Sequence, residues 1–524
     1  MRRRVFVKGA AAAALVGCGS KEEAPSTIEP ATSTPAEPVA EPAAADPGAE
    51  LGAEPAEATP ATNADWARFG ESLSGDLVRP DSDRYDASRR LFDPRFDTRE
   101  PQGIAYCASP SDVQRCLAFA RAHGLPIAAR CGGHSYGGYS SSDGLICDVG
   151  PMANVDLDGT RARIGSGAKL IDIYARLAPR RMVIPGGTCP SVGVSGLTLG
   201  GGQGVFGRKF GLTCDAVKSI QVVTADGVIR DCDAETNADL FWAHRGGGGG
   251  NFGIVTAFAF EASAVGEVTR FALPFPWDAA ADVVAAWQEW GPSARDELWS
   301  KVELGARGDR RSVAIHGVFL GSENDLRAVL APLLQQTGRP RRTRVERAPL
   351  LETMLILGGC ARRTYEECHL PPEGTLGRGV RWTRSGVFHT LSTSGIEALL
   401  EGLDRTGLEG SGRVALDALG GAIGRVAPEA TAFPHRRARM IAQYAAYWSR
   451  RAPATEAEAN RRWIDALYDA MQSDRAGAYA NYIDPVLRGW QDAYYGANLT
   501  RLRALKARFD PDGVFRFDQG ISPA

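Results

Sequence analysis

The sequence predicts an α+β protein of more than one domain, and three observations lead there. Between Arg99 and Asp148, helical and strand periods alternate in short segments. Glycine, 61 residues of 524, gathers in dense clusters between Arg130 and Gly253. Beyond Thr269 the texture changes to strands separated by helices with little glycine clustering, an α+β segment suited to shaping a pocket wall. With 44% hydrophobic residues the chain can bury more than one core. The formal charge of −2 gives no electrostatic case for nucleic acid as a partner, and ten cysteines are too few for a disulfide scaffold at this length.

Met1 to Arg4 is basic, and Val5 to Val16 is an apolar run broken by Lys8 and Gly9. That run is shorter than the roughly 20 residues a permanent span needs, so residues 1–18 read as a signal peptide. Arg2 to Lys8 is similar to a twin-arginine export signal, the type that carries already folded proteins. Leu15 to Cys18 is similar to a bacterial lipobox, in which Cys18 becomes the lipidated terminus; the competing reading is a plain secretory peptide with Cys18 incidental. The expected address is the periplasm or cell envelope, with membrane contact only through that lipid. Residues 19–64 are almost all Ala, Pro, Glu and Thr without a hydrophobic period, and are expected to form an extended tether.

The folded part then reads in order. Ser109-Pro110-Ser111-Asp112 caps a helix that carries its apolar period to Gly124. Short strands are expected at Pro126 to Ala129, Leu145 to Val149 and Arg161 to Ile164, a helix at Leu170 to Leu177, and a strand at Val217 to Thr224. Phe271 to Leu304, Ser312 to Leu320 and Val380 to Leu391 read as strands, with helices at Glu323 to Leu334 and Ile396 to Leu403. Near the C-terminus a strand is expected at Tyr479 to Ile483 and one amphipathic helix from Tyr494 to Phe509. Cys360 and Cys368 are close enough in sequence to pair, and no C-x-x-C or histidine cluster supports a metal site.

The glycine clusters are where backbone is free to approach a ligand. Arg130 to Gly138 follows a strand with Gly132-Gly133, offering backbone N–H groups to an anion, with His134 and Tyr136 on one side if the loop is extended. Pro185 to Gly204 holds so much glycine that a large bound cofactor with phosphates is the simplest reason for it. Within it Gly202 to Gly207 matches G-x-G-x-x-G, but a poor strand precedes it and a poor helix follows, so a nicotinamide-binding Rossmann unit is disfavoured. Arg245 to Gly253 repeats the logic before an apolar strand.

Taken together, Arg130-Cys131-Gly132-Gly133-His134-Ser135-Tyr136, Cys189 to Val194 with Gly200-Gly201-Gly202, Gly250 to Val255, and Tyr479-Ala480-Asn481-Tyr482 with Asp510-Pro511 resemble the berberine bridge enzyme-like FAD-linked oxidases of the vanillyl-alcohol oxidase superfamily. The resemblance covers about residues 95–265 and 475–522. It implies a two-subdomain, PCMH-type FAD-binding domain over 65–265, a substrate domain with an antiparallel sheet over 266–474, and a C-terminal segment, 475–524, that returns to the FAD domain. It also implies that a small organic substrate (a sugar, an alcohol or a secondary metabolite) gives hydride to FAD, with dioxygen reduced to hydrogen peroxide.

Residue by residue, the resemblance makes His134 the site of attachment to the flavin 8α-methyl carbon and Cys189 a second attachment through flavin C6. Both withdraw electron density and make the flavin a better hydride acceptor. Arg130, Gly132, Gly133, Ser135, Gly193, Gly196, Gly200, Gly201, Gly202, Gly250, Asn251, Gly253, Ile254, Val255 and Asn481 fall on the cofactor-binding motifs. Tyr479 matches the proposed catalytic base, Tyr136 the tyrosine that positions substrate, and Tyr482 is the reserve; on a strand, only one of Tyr479 and Tyr482 faces the flavin. Leu197 stands where many plant members have a histidine, which moves the substrate away from the plant alkaloid. A dehydrogenase with another electron acceptor, and a non-catalytic surface lipoprotein, remain the competing readings.

Overall fold

The computed structural model describes residues 59–404 and 410–524. The expected signal peptide and nearly all of the expected tether lie outside the described residues. The first described helix is Asn63–Ser72, where Thr62 and Asp65 form a capping box, slightly before the expected boundary at 64. Its Trp66 and Phe69 pack on Phe119 of the helix Pro110–Ala122, which Ser109 and Asp112 cap in the same way.

Two small sheets build the glycine-rich part. The first runs Asp76–Val78, Gly103–Tyr106, Leu145–Asp148, Ile127–Arg130, with its last two pairings parallel. The second is antiparallel, in the order Val155–Asp158, Arg161–Gly165, Ile254–Glu261, Val217–Val223, Ile229–Cys232. The helix Leu170–Leu177 lies where the apolar period placed it. Val194–Leu199 is a short helix and Gly202-Gln203-Gly204 is irregular, so no strand leads into the G-x-G-x-x-G stretch. Cys107, Cys116 and Cys147, far apart in sequence, converge as buried thiols in the core beneath the first sheet.

The second part is one eight-stranded antiparallel sheet, in the order Arg344–Arg347, Val268–Phe275, Arg310–Leu320, Leu298–Arg307, Ser411–Ala418, Met440–Tyr447, Arg381–Phe388, Arg475–Gly477. The expected strand over Phe271 to Leu304 is in fact strand, helix Ala280–Ser293, strand. The period of two decides what this sheet does. Val302, Leu304, Val414, Leu416, Met440, Ala442 and Tyr444 face a core shared with helices Ala280–Ser293, Glu323–Thr337, Thr393–Asp404 and Ala454–Ala470. The alternate residues Lys301, Glu303, Arg413, Asp417, Gln443, Arg381 and Ser385 take the opposite face, which meets the glycine loops.

Two arginines lock the parts together. Arg208, 1% exposed, donates to the carbonyls of Leu298, Pro292, Ala294 and Leu419. Arg436 grips Asp215 with two bonds of 2.7 Å. The C-terminal segment returns to the glycine-rich part as expected, but not as one helix. Gly496, at φ +48, interrupts it between Trp490–Tyr495 and Leu499–Phe509. Buried Lys506 then joins Asp510 (2.6 Å) to the carbonyls of Asn251 (2.7 Å) and Phe515 (2.6 Å), clamping the third glycine cluster from behind.

Candidate active site

The three glycine clusters fold against one another. A Cβ on Gly132 would lie 2.4 Å from the Gly193 nitrogen, so the first two loops touch backbone to backbone. Gly246 and Gly248 both donate to the Leu199 carbonyl, joining the third cluster to the second. His134 stacks on Phe92 with ring centroids 4.1 Å apart, and its Nε2 is hydrogen-bonded to Ser191 Oγ at 2.8 Å. Burial, then the charges of Arg381 and Lys169, push this imidazole well below its ordinary value, so it is neutral. With Nε2 engaged on Ser191, Nδ1 has no hydrogen bond among the described residues.

Tyr136, two residues on in the same loop, meets the sheet. Gln443 Nε2 donates to its oxygen at 2.6 Å, while Arg413 Nη2 donates to Gln443 Oε1 at 2.8 Å, which fixes the way the amide points. Glu303 anchors the chain behind, 3.3 Å from Arg413 and 2.9 Å from Lys301. Burial pulls the Glu303 carboxyl upward, yet Lys301 and Arg413 hold it down at about 2. Since Gln443 donates to Tyr136, the phenolic proton of Tyr136 is directed away from Gln443.

The C-terminal tyrosines are not on a strand. Ala480–Tyr482 is one turn of 3₁₀ helix, in which positions three apart eclipse, so Tyr479 and Tyr482 lie on one side with ring centroids 5.1 Å apart. Tyr482 in turn stacks on Tyr136 at 6.0 Å. The two differ in their oxygens. The Tyr479 oxygen accepts three N–H groups, from Gly202, Gln203 and Asn481 Nδ2, each at 2.9 Å. Burial still raises its value to about 12 against those bonds. Tyr482 is only partly buried, and its value is raised well above the ordinary one by desolvation and then by the charge of Asp417. Asp417, 7% exposed, is itself raised by burial against the pull of Lys301 and Arg413.

Other expected residues take supporting places. Asn481 also donates to the Leu197 carbonyl and closes on Gly200, whose Cβ would fall 2.0 Å from Asn481 Oδ1. Gly201 and Gly202 adopt φ of +112 and +86 in the turn that reaches Tyr479. Asn251 spends its side chain on Gly247 and Ile521 and its carbonyl on Lys506, so its side chain is not available to a ligand. Gly253 packs against Val222 and Val223, and Ile254 and Val255 are buried in the cores. Ser135 Oγ accepts the Tyr139 N–H and shapes its own loop. Cys189 is disulfide-bonded, so its thiol must be released before it can bond to anything else.

The donors present fit a flat, anionic cofactor. Arg130, 5% exposed, pairs with Asp148 through Nε and leaves Nη1 buried without a partner at the start of the Gly132-Gly133 turn. Gly196 borders open space, since a Cβ there would meet nothing within 4 Å.

Comparison with known proteins agrees. A model of an FAD binding domain matches residues 101–233, and a model described as berberine and berberine like matches residues 478–522. The "Uncharacterized FAD-linked oxidoreductase YgaK" of Bacillus subtilis is 34% identical over 458 residues, covering 86% of this chain and 97% of that protein. The chain belongs to the berberine bridge enzyme-like FAD-linked oxidoreductases. Another such relative, the chitooligosaccharide oxidase of Gibberella zeae, is 30% identical over 446 residues, covering 81% of this chain and 88% of that protein. The solved structure of wild-type BBE-like 1 from Physcomitrella patens superposes with a TM-score of 0.80 at 26% identity, covering 87% of this chain and 99% of that one. This BBE-like chain is therefore an FAD-dependent enzyme with a PCMH-type cofactor part and an antiparallel substrate sheet.

The sheet side of this candidate site is not among the residues the sequence singles out. Asp417, Gln443, Arg413, Glu303, Lys301 and Arg381 carry no motif. Their signal was the alternation Arg413-Val414-Ala415-Leu416-Asp417, charges spaced within a strand otherwise apolar enough to be buried.

Proposed function

We propose that the protein oxidises a carbinol carbon of a small polyhydroxylated molecule, a sugar or sugar-like alcohol, with dioxygen as electron acceptor. The observation that carries this is the cluster Tyr136, Tyr482, Gln443 and Asp417, lying between the neutral His134 loop and the polar face of the sheet. The chitooligosaccharide-oxidising relative supports the substrate class. When bound, FAD supplies the two-electron acceptor, which dioxygen returns to its oxidised form with production of hydrogen peroxide.

The chain's own residues handle the proton. Tyr482 accepts the substrate hydroxyl proton in preference to Tyr479, because the Tyr479 oxygen is already occupied by three N–H donors. A phenol with a raised value cannot wait as phenolate at neutral pH. It therefore accepts one proton while giving up its own, for which Asp417, the carboxylate whose charge acts on it most strongly, is the proposed acceptor. The raised value of Asp417 suits it to hold that proton. Tyr136, kept as a donor toward the cavity by the Arg413–Gln443 chain, orients the substrate hydroxyl. Tyr479 holds the Gly202-Gln203 turn against the C-terminal segment.

The same reading gives His134 Nδ1 as the covalent anchor of the flavin and Cys189 as the second, after an external thiol has exchanged with and reduced its disulfide. An exported, lipid-anchored form starting at Cys18 completes the proposal; export of a loaded enzyme suits a cofactor that cannot be lost. Peroxide release during incubation of purified yellow protein with a panel of mono- and oligosaccharides tests the reading. Bound flavin with no peroxide from any of them, and no bleaching without oxygen, would set it aside.

A further inference from the structure

Arg381 opens the strand Arg381–Phe388 on the polar face of the sheet and is 4% exposed. Its guanidinium carbon lies 4.7 Å from the ring centroids of both Phe92 and Tyr136, and of the charges acting on His134 its is the strongest. Its Nε is buried with no partner, and among the described residues no carboxylate pairs with it. Arginines around it are all matched: Arg378 with Asp97, Arg384 with Asp465 and Asp484, Arg413 with Glu303, and Arg95 with Asp93. A guanidinium cannot shed its proton to escape burial, so an unmatched one is strongly unfavourable until an anion arrives. The two aromatic rings satisfy its faces and leave its N–H edge to find an acceptor.

We propose that Arg381 binds a carboxylate of the substrate, so that the enzyme acts on acidic polyhydroxylated molecules, such as uronic acids, in preference to their neutral counterparts. This rests on the oxidase reading above and narrows it. The alternative anion is a phosphate of the cofactor, and position argues against it. The glycine-rich part has its own unmatched donor, Arg130 Nη1, beside the Gly132-Gly133 turn. Arg381 instead belongs to the sheet and lies on the ring of Tyr136, the residue that orients substrate. The protein thus offers two separate buried donors, Arg130 in the glycine-rich part and Arg381 in the sheet.

The test uses the flavin-loaded enzyme with D-glucuronate and D-galacturonate against D-glucose and D-galactose. The acids are expected to shift the flavin absorption spectrum saturably, and to be oxidised with a kcat/KM at least tenfold above the neutral sugars. Arg381→Gln should lower that acid-to-neutral ratio on the order of 10- to 100-fold, mainly through KM, as for loss of a hydrogen bond to a charged group. Arg381→Lys should recover part of the ratio, and both variants should keep wild-type flavin content and melting temperature. Neutral sugars preferred by the wild type, no saturable spectral shift with either acid, or an unchanged ratio in Arg381→Gln would overturn the proposal. Loss of flavin from Arg381→Gln alone would assign the arginine to a cofactor phosphate and also overturn it. A wild-type protein that binds no flavin would bring down the oxidase reading itself, a result distinct from all of these.

Discussion

Replacing each of the two C-terminal tyrosines with phenylalanine separates their roles, because the structure gives their oxygens different work. Tyr482→Phe removes an oxygen with no backbone bond to maintain, from a ring held by stacking on Tyr136 and Tyr479. Folding and flavin content should survive, and flavin reduction should slow by about 10²–10⁴-fold, the usual worth of a positioned proton acceptor. Tyr479→Phe instead strips the acceptor from Gly202 N–H, Gln203 N–H and Asn481 Nδ2, in a place where Tyr479 is 2% exposed and water cannot substitute. Each orphaned donor costs about 1–3 kcal/mol, so the three together should lower the melting temperature by roughly 5 °C or more. Anaerobic rapid mixing with substrate at matched flavin content, together with thermal melting, reads both effects. A Tyr482→Phe enzyme at full speed beside a slow Tyr479→Phe enzyme of normal melting temperature would refute the assignment. It would also restore the order the motif alone suggests.

Three further outcomes follow from the same geometry. Asp417→Asn should slow flavin reduction and flatten its acid limb, since the wild-type rate should rise as Asp417 ionises at a pH above the ordinary carboxylate range; an unchanged pH profile would exclude Asp417 from the relay. His369 is bonded to Asp172 at 2.8 Å and its value is raised by that bond, so its contribution to stability is complete below about pH 6.5 and is lost as pH rises through the raised value; melting scans should show stability falling from about pH 6.5 upward through the raised value, and Asp172→Asn should remove this slope. Cys18→Ser should release the protein from the membrane fraction if the terminal cysteine carries lipid, and unchanged fractionation would leave only a secretory signal.

How far the sequence reaches is uneven for physical reasons. Ser109 and Asp112 announce their helix because capping is local, and the helix Leu170–Leu177 starts and ends where its period says. The glycine loops are legible because glycine at that density has few other uses. Tyr479 to Tyr482 defeats a local reading: aromatic residues at that spacing suit a strand, but the three N–H donors that hold Tyr479 come from Asn481 and a loop more than 270 residues earlier. Gly496 is a similar case, where one glycine in the left-handed region splits what the apolar period joins. The sheet side of the site is least legible. Lys301, Glu303, Arg413, Asp417 and Gln443 become a polar network only after antiparallel pairing sets Lys301 opposite Asp417 and Ala415 opposite Gln443.

The account stands or falls on a cofactor that is bound through His134 and reduced by substrate. Its most direct measurement is acid precipitation of the purified protein, followed by digestion and mass analysis of the peptide holding His134, on enzyme first shown to bleach with substrate under anaerobic conditions. The account predicts a yellow pellet, FAD mass on the His134 peptide, bleaching by substrate, and recovery of colour with peroxide when oxygen returns. A colourless pellet with an unmodified His134 peptide, from protein whose visible spectrum no substrate changes, would contradict it.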